Sequence, residues 1–169
     1  MKISKQILLL AALFASVLFS PVGLMANEPV SLLNQVAPAW TLKNLEGQDV
    51  SFAQFKGKVV VIDFWATWCG PCRMEIPGYI ELQKKYGKDG LVIIGISIDQ
   101  NGAGSVKKFV NKNGMNYTIV MGDEKVVEAF GGVEVIPTTF LIDREGRIIH
   151  QKSGVWAHAE YEALVKKAL

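Results

Sequence analysis

Val61-Ile62-Asp63-Phe64-Trp65-Ala66-Thr67-Trp68-Cys69-Gly70-Pro71-Cys72 is the stretch on which the fold of this chain turns. Val59 to Phe64 is a continuous apolar run with a single acid in it, the pattern of a central strand buried on both faces. It leads directly to two cysteines at the head of a second segment. From Cys69 to about Tyr86 the apolar residues Met74, Ile76, Tyr79, Ile80, Leu82 and Tyr86 suit a helix, with Pro77 inside it as a predicted kink. A cysteine between a buried strand and the first helical turn lies beside unpaired backbone N–H groups and the positive end of the helix dipole. That setting favours the thiolate, the form that attacks disulfides, so Cys69 is the expected nucleophile. Cys72, one turn further in and more buried, is the expected resolving thiol.

Outward from this segment, strands alternate with helices. Ala39 to Leu42 and Asp49 to Phe52 read as a leading hairpin about Asn44, Glu46 and Gly47. Leu91 to Ile98 is a second buried strand. Helical spacing of Val106, Phe109 and Val110 predicts a helix that Gly114 stops. Tyr117 to Met121 follows as a strand and Lys125 to Phe130 as a short helix ended by Gly131-Gly132. Thr139 to Ile142 and Arg147 to Gln151 form a second hairpin about Asp143-Arg144-Glu145-Gly146. A final helix carries Tyr161, Leu164, Val165 and Ala168 on one face, with Lys166 and Lys167 at the end that the dipole favours for cations. The fold class is therefore α/β, a central mixed sheet with helices on both faces. Trp40, Phe52 and Phe55 are expected in the core, while Trp65 and Trp68 divide between core and contact surface.

The segment Val61 to Cys72 closely resembles the active-site stretch of thioredoxins, and Ile136-Pro137-Thr138 is similar to the cis-proline loop of that family. The resemblance covers roughly Pro38 to Leu169. It implies a thioredoxin-like fold, a cis peptide bond before Pro137, and a backbone at Ile136 that pairs with the incoming substrate. It places a buried acid at Asp63, six residues before Cys69. The long separation from Cys72 to Pro137 accommodates an inserted helical element near Ser105 to Asn113. With the leading hairpin and the N-terminal signal, the chain looks like the TlpA-like and ResA-like branch, which often carries an acid where Glu75 stands. Substrate contact is expected at Trp68, Gly70, Pro71, Ile136 and Pro137.

Proton bookkeeping gives the acids a task. Cys72 must lose a proton to attack, and a buried carboxylate with a raised pKa accepts it. Asp63 is the first candidate, since its neighbours are so apolar, and Glu75 is the second.

The chain has 169 residues, half of them hydrophobic, enough for one domain with its own core, expected over residues 34–169 as a monomer. Its formal charge of +2 comes from Lys2 and Lys5, and 16 acidic side chains balance the other cations, so charge offers no nucleic-acid footprint. Lys2 and Lys5, the apolar run Ile7 to Phe19, then Pro21, Gly23 and Ala26 have the layout of an export signal over residues 1–26, with an uncleaved membrane anchor as the alternative. Either places the domain outside the cytoplasm, in the periplasm or its equivalent. A disulfide across two residues closes too small a ring to stabilise the fold by chain entropy, so redox or metal chemistry explains the pair better. Zinc would need four ligands, and only two cysteines exist, with His150 and His158 near the C-terminus. Copper binding by the thiolates is the non-enzymatic alternative. Thiol peroxidase chemistry is the enzymatic one, although peroxiredoxins place Thr or Ser where Ala66 stands. No cofactor is expected beyond the Cys69–Cys72 couple.

Gly70-Pro71 and Ile136 match the reducing members of the thioredoxin family, so the expected activity is reduction of protein disulfides. Implied partners are disulfide-bearing proteins, with apocytochrome c as one class, and a membrane donor that passes reducing equivalents across the bilayer.

Overall fold

Described over residues 31–169, the computed structural model begins with a hairpin, β1 (Thr41–Asn44) and β2 (Asp49–Ser51), ahead of the segment that decides the fold. There follow β3 (Val59–Trp65), α1 (Gly70–Tyr86), β4 (Leu91–Ser97), α2 (Ala103–Lys112), β5 (Thr118–Met121), α3 (Glu124–Ala129), β6 (Thr138–Ile142), β7 (Ile148–Ser153) and α4 (His158–Ala168). The signal or anchor expected over residues 1–26 lies outside the described residues. Among the described residues no helix is long and apolar enough to cross a membrane.

The strands form one sheet in the order β2-β1-β5-β4-β3-β6-β7, with β3, β4 and β5 parallel and the remaining pairings antiparallel. This is the mixed sheet of a thioredoxin-like fold. All seven residues of β3 are buried, because helices cover both of its faces and β4 and β6 flank its edges. Alternation sends Val60, Ile62 and Phe64 to one face, where they meet Ile94, Phe140 and the α3 residues Val126 and Phe130. Val59, Val61 and Trp65 go to the other, against Tyr79 and Leu82 of α1, Val165 of α4 and Val106 of α2. Asp63 stands among the latter by the same alternation.

Three local expectations shift. The first strand is Thr41–Asn44 rather than Ala39–Leu42, because Asn44 makes the turn itself: its Oδ1 accepts the N–H groups of Glu46 (3.0 Å) and Gln48 (2.9 Å), so pairing runs up to the turn. Phe52 leaves the sheet and opens a 3-10 turn over Phe52–Phe55. In consequence Phe52 and Phe55 are only half-buried at the margin of the core, whereas Trp40 is buried.

One glycine is required by packing. Gly95 of β4 lies opposite Asp63, and a Cβ there would come within 2.7 Å of Trp65 Nε1 and 2.8 Å of Ile119 Cδ1, both on side chains held in the core. Overpacking of that kind costs about 1–3 kcal/mol. Gly95→Ala is therefore expected to lower the unfolding free energy by that amount, read as a lower urea midpoint at an unchanged m-value, and a variant as stable as the parent would contradict this packing.

Candidate active site

Cys69 is the N-cap of α1, and Pro71 follows in the first turn, where its missing N–H leaves no gap in the ladder. The two cysteines are joined as a disulfide, with their Cα atoms 5.3 Å apart. Cys69 Sγ accepts the backbone N–H of Cys72 at 3.2 Å, so the sulfur does the work that a serine or aspartate oxygen does at other helix starts. Cys69 is 5% exposed and Cys72 1%, which orders access as the motif predicts. The peptide bond between Ile136 and Pro137 is cis, and the Ile136 carbonyl oxygen lies 3.8 Å from Cys69 Sγ. Sγ has no proton to donate while it is in the disulfide, so this is a contact in the oxidised state. Trp68 is exposed beside the dithiol and Trp65 is core, so the two tryptophans divide the roles between them.

Both sequence-selected acids are buried under α1. Asp63 is 3% exposed and its Oδ1 has no hydrogen-bond partner, so desolvation, and then the charge of Glu75, push its pKa well above the usual carboxylate range. Glu75 follows Cys72 by three residues on the helix. Its Oε1 accepts the backbone N–H of Trp156 at 2.8 Å, while its Oε2 is buried and unpartnered. Burial raises its pKa to about 7, against the opposing pull of that N–H and of Lys152. Lys152 is itself held over the Trp156 ring, 4.7 Å from its centroid. Tyr79, Tyr117 and Tyr161 share this interior, and burial together with the two acids keeps their hydroxyls protonated. Tyr79 Oη pairs with Thr139 Oγ1 at 3.2 Å.

Sequence reasoning missed a second layer. Asp99, just beyond β4, accepts from the Thr67 N–H (2.9 Å), the Thr67 hydroxyl (2.5 Å) and the Ser97 hydroxyl (2.8 Å), and so ties down the loop that presents Cys69. An acid two residues past a buried strand, preceded by a serine, was the available signal. This network also occupies the Thr67 hydroxyl, and Ala66, at the position three residues before Cys69, is fully buried. Trp156, which orients Glu75, carried no signal, since its place beside α1 is set by the turn between β7 and α4.

A family model described as the AhpC/TSA family matches residues 33–151. The chain is 33% identical over 145 residues to the thiol-disulfide oxidoreductase ResA of Bacillus thuringiensis (strain Al Hakam), covering 86% of this chain and 83% of that protein. It is 31% identical over 134 residues to ResA of Bacillus subtilis (strain 168), with 77% and 74% covered. Among solved structures, a thiol:disulfide interchange protein of the thioredoxin family from Chlorobium tepidum TLS superposes with a TM-score of 0.74 at 31% identity, over 82% of this chain and 99% of that one. With a dithiol capping a helix in a thioredoxin-like sheet, and with relatives named for thiol-disulfide exchange, this chain belongs to the AhpC/TSA family as a ResA-like thiol-disulfide oxidoreductase.

Proposed function

We propose that the enzyme works outside the cytoplasm as a reductase of protein disulfides, with Cys69 as nucleophile, Cys72 as resolving thiol and the buried carboxyls as proton acceptors. The observation that carries this reading is Cys69 Sγ at the start of α1, accepting an N–H and next to the cis-proline loop. In the reduced enzyme, the Cys69 thiolate attacks a substrate disulfide, forms a mixed disulfide and releases one substrate thiolate. Cys72 passes its proton to a carboxylate and attacks Cys69 Sγ. The second substrate thiolate leaves, the Cys69–Cys72 disulfide closes, and two electrons have moved to the substrate. Backbone groups at Ile136 and the surface of Trp68, Gly70 and Pro71 hold the substrate chain during the exchange.

Glu75 is well poised as a proton acceptor, since a base works best when its pKa lies near the working pH, and burial with the charge of Glu75 raises Asp63 above the usual carboxylate range. The export layout of residues 1–26 supports the location. A reductase in an oxidising compartment needs an outside source of electrons, which a membrane donor of reducing equivalents supplies. Apocytochrome c cysteines are one client class within this reading, suggested by the family resemblance.

Direction is tested by the reduction potential of the Cys69–Cys72 couple, equilibrated against glutathione or a stronger dithiol. A value near thioredoxin's, about −270 mV, is expected, and one near −120 mV makes the enzyme an oxidant instead. Proton acceptance is tested on the pH profile of mixed-disulfide resolution. In the parent the rate should rise through about pH 7 as Glu75 ionises. In Glu75→Gln that inflection should be lost, with a drop of roughly tenfold or more at alkaline pH. An unchanged profile removes Glu75 from the mechanism.

Asp63 is tested through stability. Its folded pKa is raised, so the native state holds a proton that the unfolded state releases above about pH 4. The contribution of Asp63 to stability is fully present below that unfolded value and falls as pH rises toward the folded pKa. The fall, followed by urea midpoints from acid to neutral pH, should be smaller in Asp63→Asn. An equal slope in both proteins would place Asp63 outside this linkage.

A further inference from the structure

On the side of Trp68 next to the inserted helix, a groove of about 350 Å³ is lined by Thr67, Trp68, Arg73, Ser105, Phe109 and Lys112, with Asn113 at its end. Its two walls come from different parts of the chain. One is the loop and first turn that carry the dithiol, since Trp68 adjoins Cys69 and Arg73 adjoins Cys72. The other is a single stripe of α2, because positions 105, 109, 112 and 113 fall on one helical face. The foundation is rigid. Phe109 packs against the buried Trp65 ring with 5.7 Å between centroids, and Thr67 is held by Asp99.

The charge of the groove is one-signed. Arg73 and Lys112 take part in no ion pair among the described residues, whereas Lys107 on the same helix is paired with Glu46 at 3.1 Å. Arg73 is braced with its guanidinium carbon 5.8 Å from the Phe109 ring centroid, which leaves its N–H groups open to an acceptor. No aspartate or glutamate lines the groove among the described residues. The carboxylate bonded to Thr67, that of Asp99, is buried and already accepts three hydrogen bonds. An exposed indole sharing a groove with two available cations suits an extended peptide with a carboxylate side chain.

We propose that this groove is a docking subsite for an acidic segment of the client polypeptide flanking the cysteine under attack. The proposal rests on the disulfide-exchange reading above and adds a client preference to it. With the client sulfur on Cys69 and Trp68 as the next residue, the recognised carboxylate lies within about three residues of the client cysteine at the ~3.3 Å rise of an extended chain. The inserted helix thereby acquires a task, since it supplies one wall of the subsite and one of its two cations.

The test uses two synthetic peptides, each with one internal disulfide and identical except for Glu or Lys at the positions flanking the cysteines. Their kcat/KM values are compared for the full exported chain at low salt. The Glu peptide is expected to be favoured by roughly three- to tenfold, an advantage that shrinks in high salt. In the double variant Arg73→Gln/Lys112→Gln the Glu-to-Lys ratio should fall to about one. Because the ratio is taken within each protein, any change in dithiol reactivity cancels. Lys58→Gln, at the opposite end of the seven-residue strand β3, should keep the parent ratio, which controls for net charge. A ratio of one in the parent, or a preference that survives in the double variant, overturns the subsite. Failure of the parent to reduce either peptide, or neutral hydroxyethyl disulfide, instead removes the exchange reading on which the subsite rests.

Discussion

Burial of β3 on both faces is the constraint from which the rest of this molecule follows. A strand with no exposed residue and paired neighbours on both edges cannot shift register without turning a whole apolar face the wrong way. Its C-terminal end is therefore a fixed point, and the few residues from Ala66 to Trp68 have to carry the chain from it into α1. Asp99 removes the freedom left in that short loop by bonding both the backbone and the hydroxyl of Thr67. Cys69 thus reaches the helix start in a set position, and its role as N-cap follows from the scaffold.

The same buried face that fixes the loop is where the fold gives up stability. Asp63 and Glu75 each keep one oxygen without a partner, in an interior otherwise filled by Tyr79, Leu82, Tyr161 and Val165. An unpaired buried polar atom costs about 1–3 kcal/mol, and a second acid nearby raises the cost of ionising either one. The sheet and the two aromatic rings packed on Tyr79, those of Tyr117 and Tyr161, absorb that cost. What it produces is a Glu75 whose pKa of about 7 lies in the range where thiol chemistry operates, beside an Asp63 raised well above the usual carboxylate range.

Much of this was legible in the sequence, and the reason is local. Strand, cysteine spacing and helix period are all written within a few residues of one another, so Val59 to Tyr86 could be read nearly to its observed bounds. Asp63 stands out because an acid inside an apolar run has to be buried or to disrupt the run. Glu75 was less clear, since a glutamate on an amphipathic helix reads equally well as a surface residue. Its burial depends on Trp156, some eighty positions away, whose N–H it accepts. Asp99, Thr139 beside Tyr79, and the meeting of Arg73 with Lys112 are likewise products of tertiary packing, with no periodicity to announce them. The hairpin differs for the opposite reason: Asn44 is a turn residue by type, yet it serves the turn with backbone and side chain alike while also pairing with Val120 of β5 as the end of β1.

The two sides of the dithiol are chemically unlike, and that difference separates reactivity from selection. Toward β6, the cis-proline loop offers backbone groups, which every polypeptide can match regardless of sequence. Toward α2, the surface is made of side chains, an indole and two unpaired cations, which only some sequences can satisfy. Thiol exchange itself needs only the first side together with the helix start. An inserted helix that adds a basic wall can change which disulfides are met first, through encounter rates, while the potential of the couple stays with Cys69, Cys72 and their capping hydrogen bond. Divergence of clients among enzymes built on this sheet then requires new side chains on α2 and no change in the strand that holds the cysteines in place.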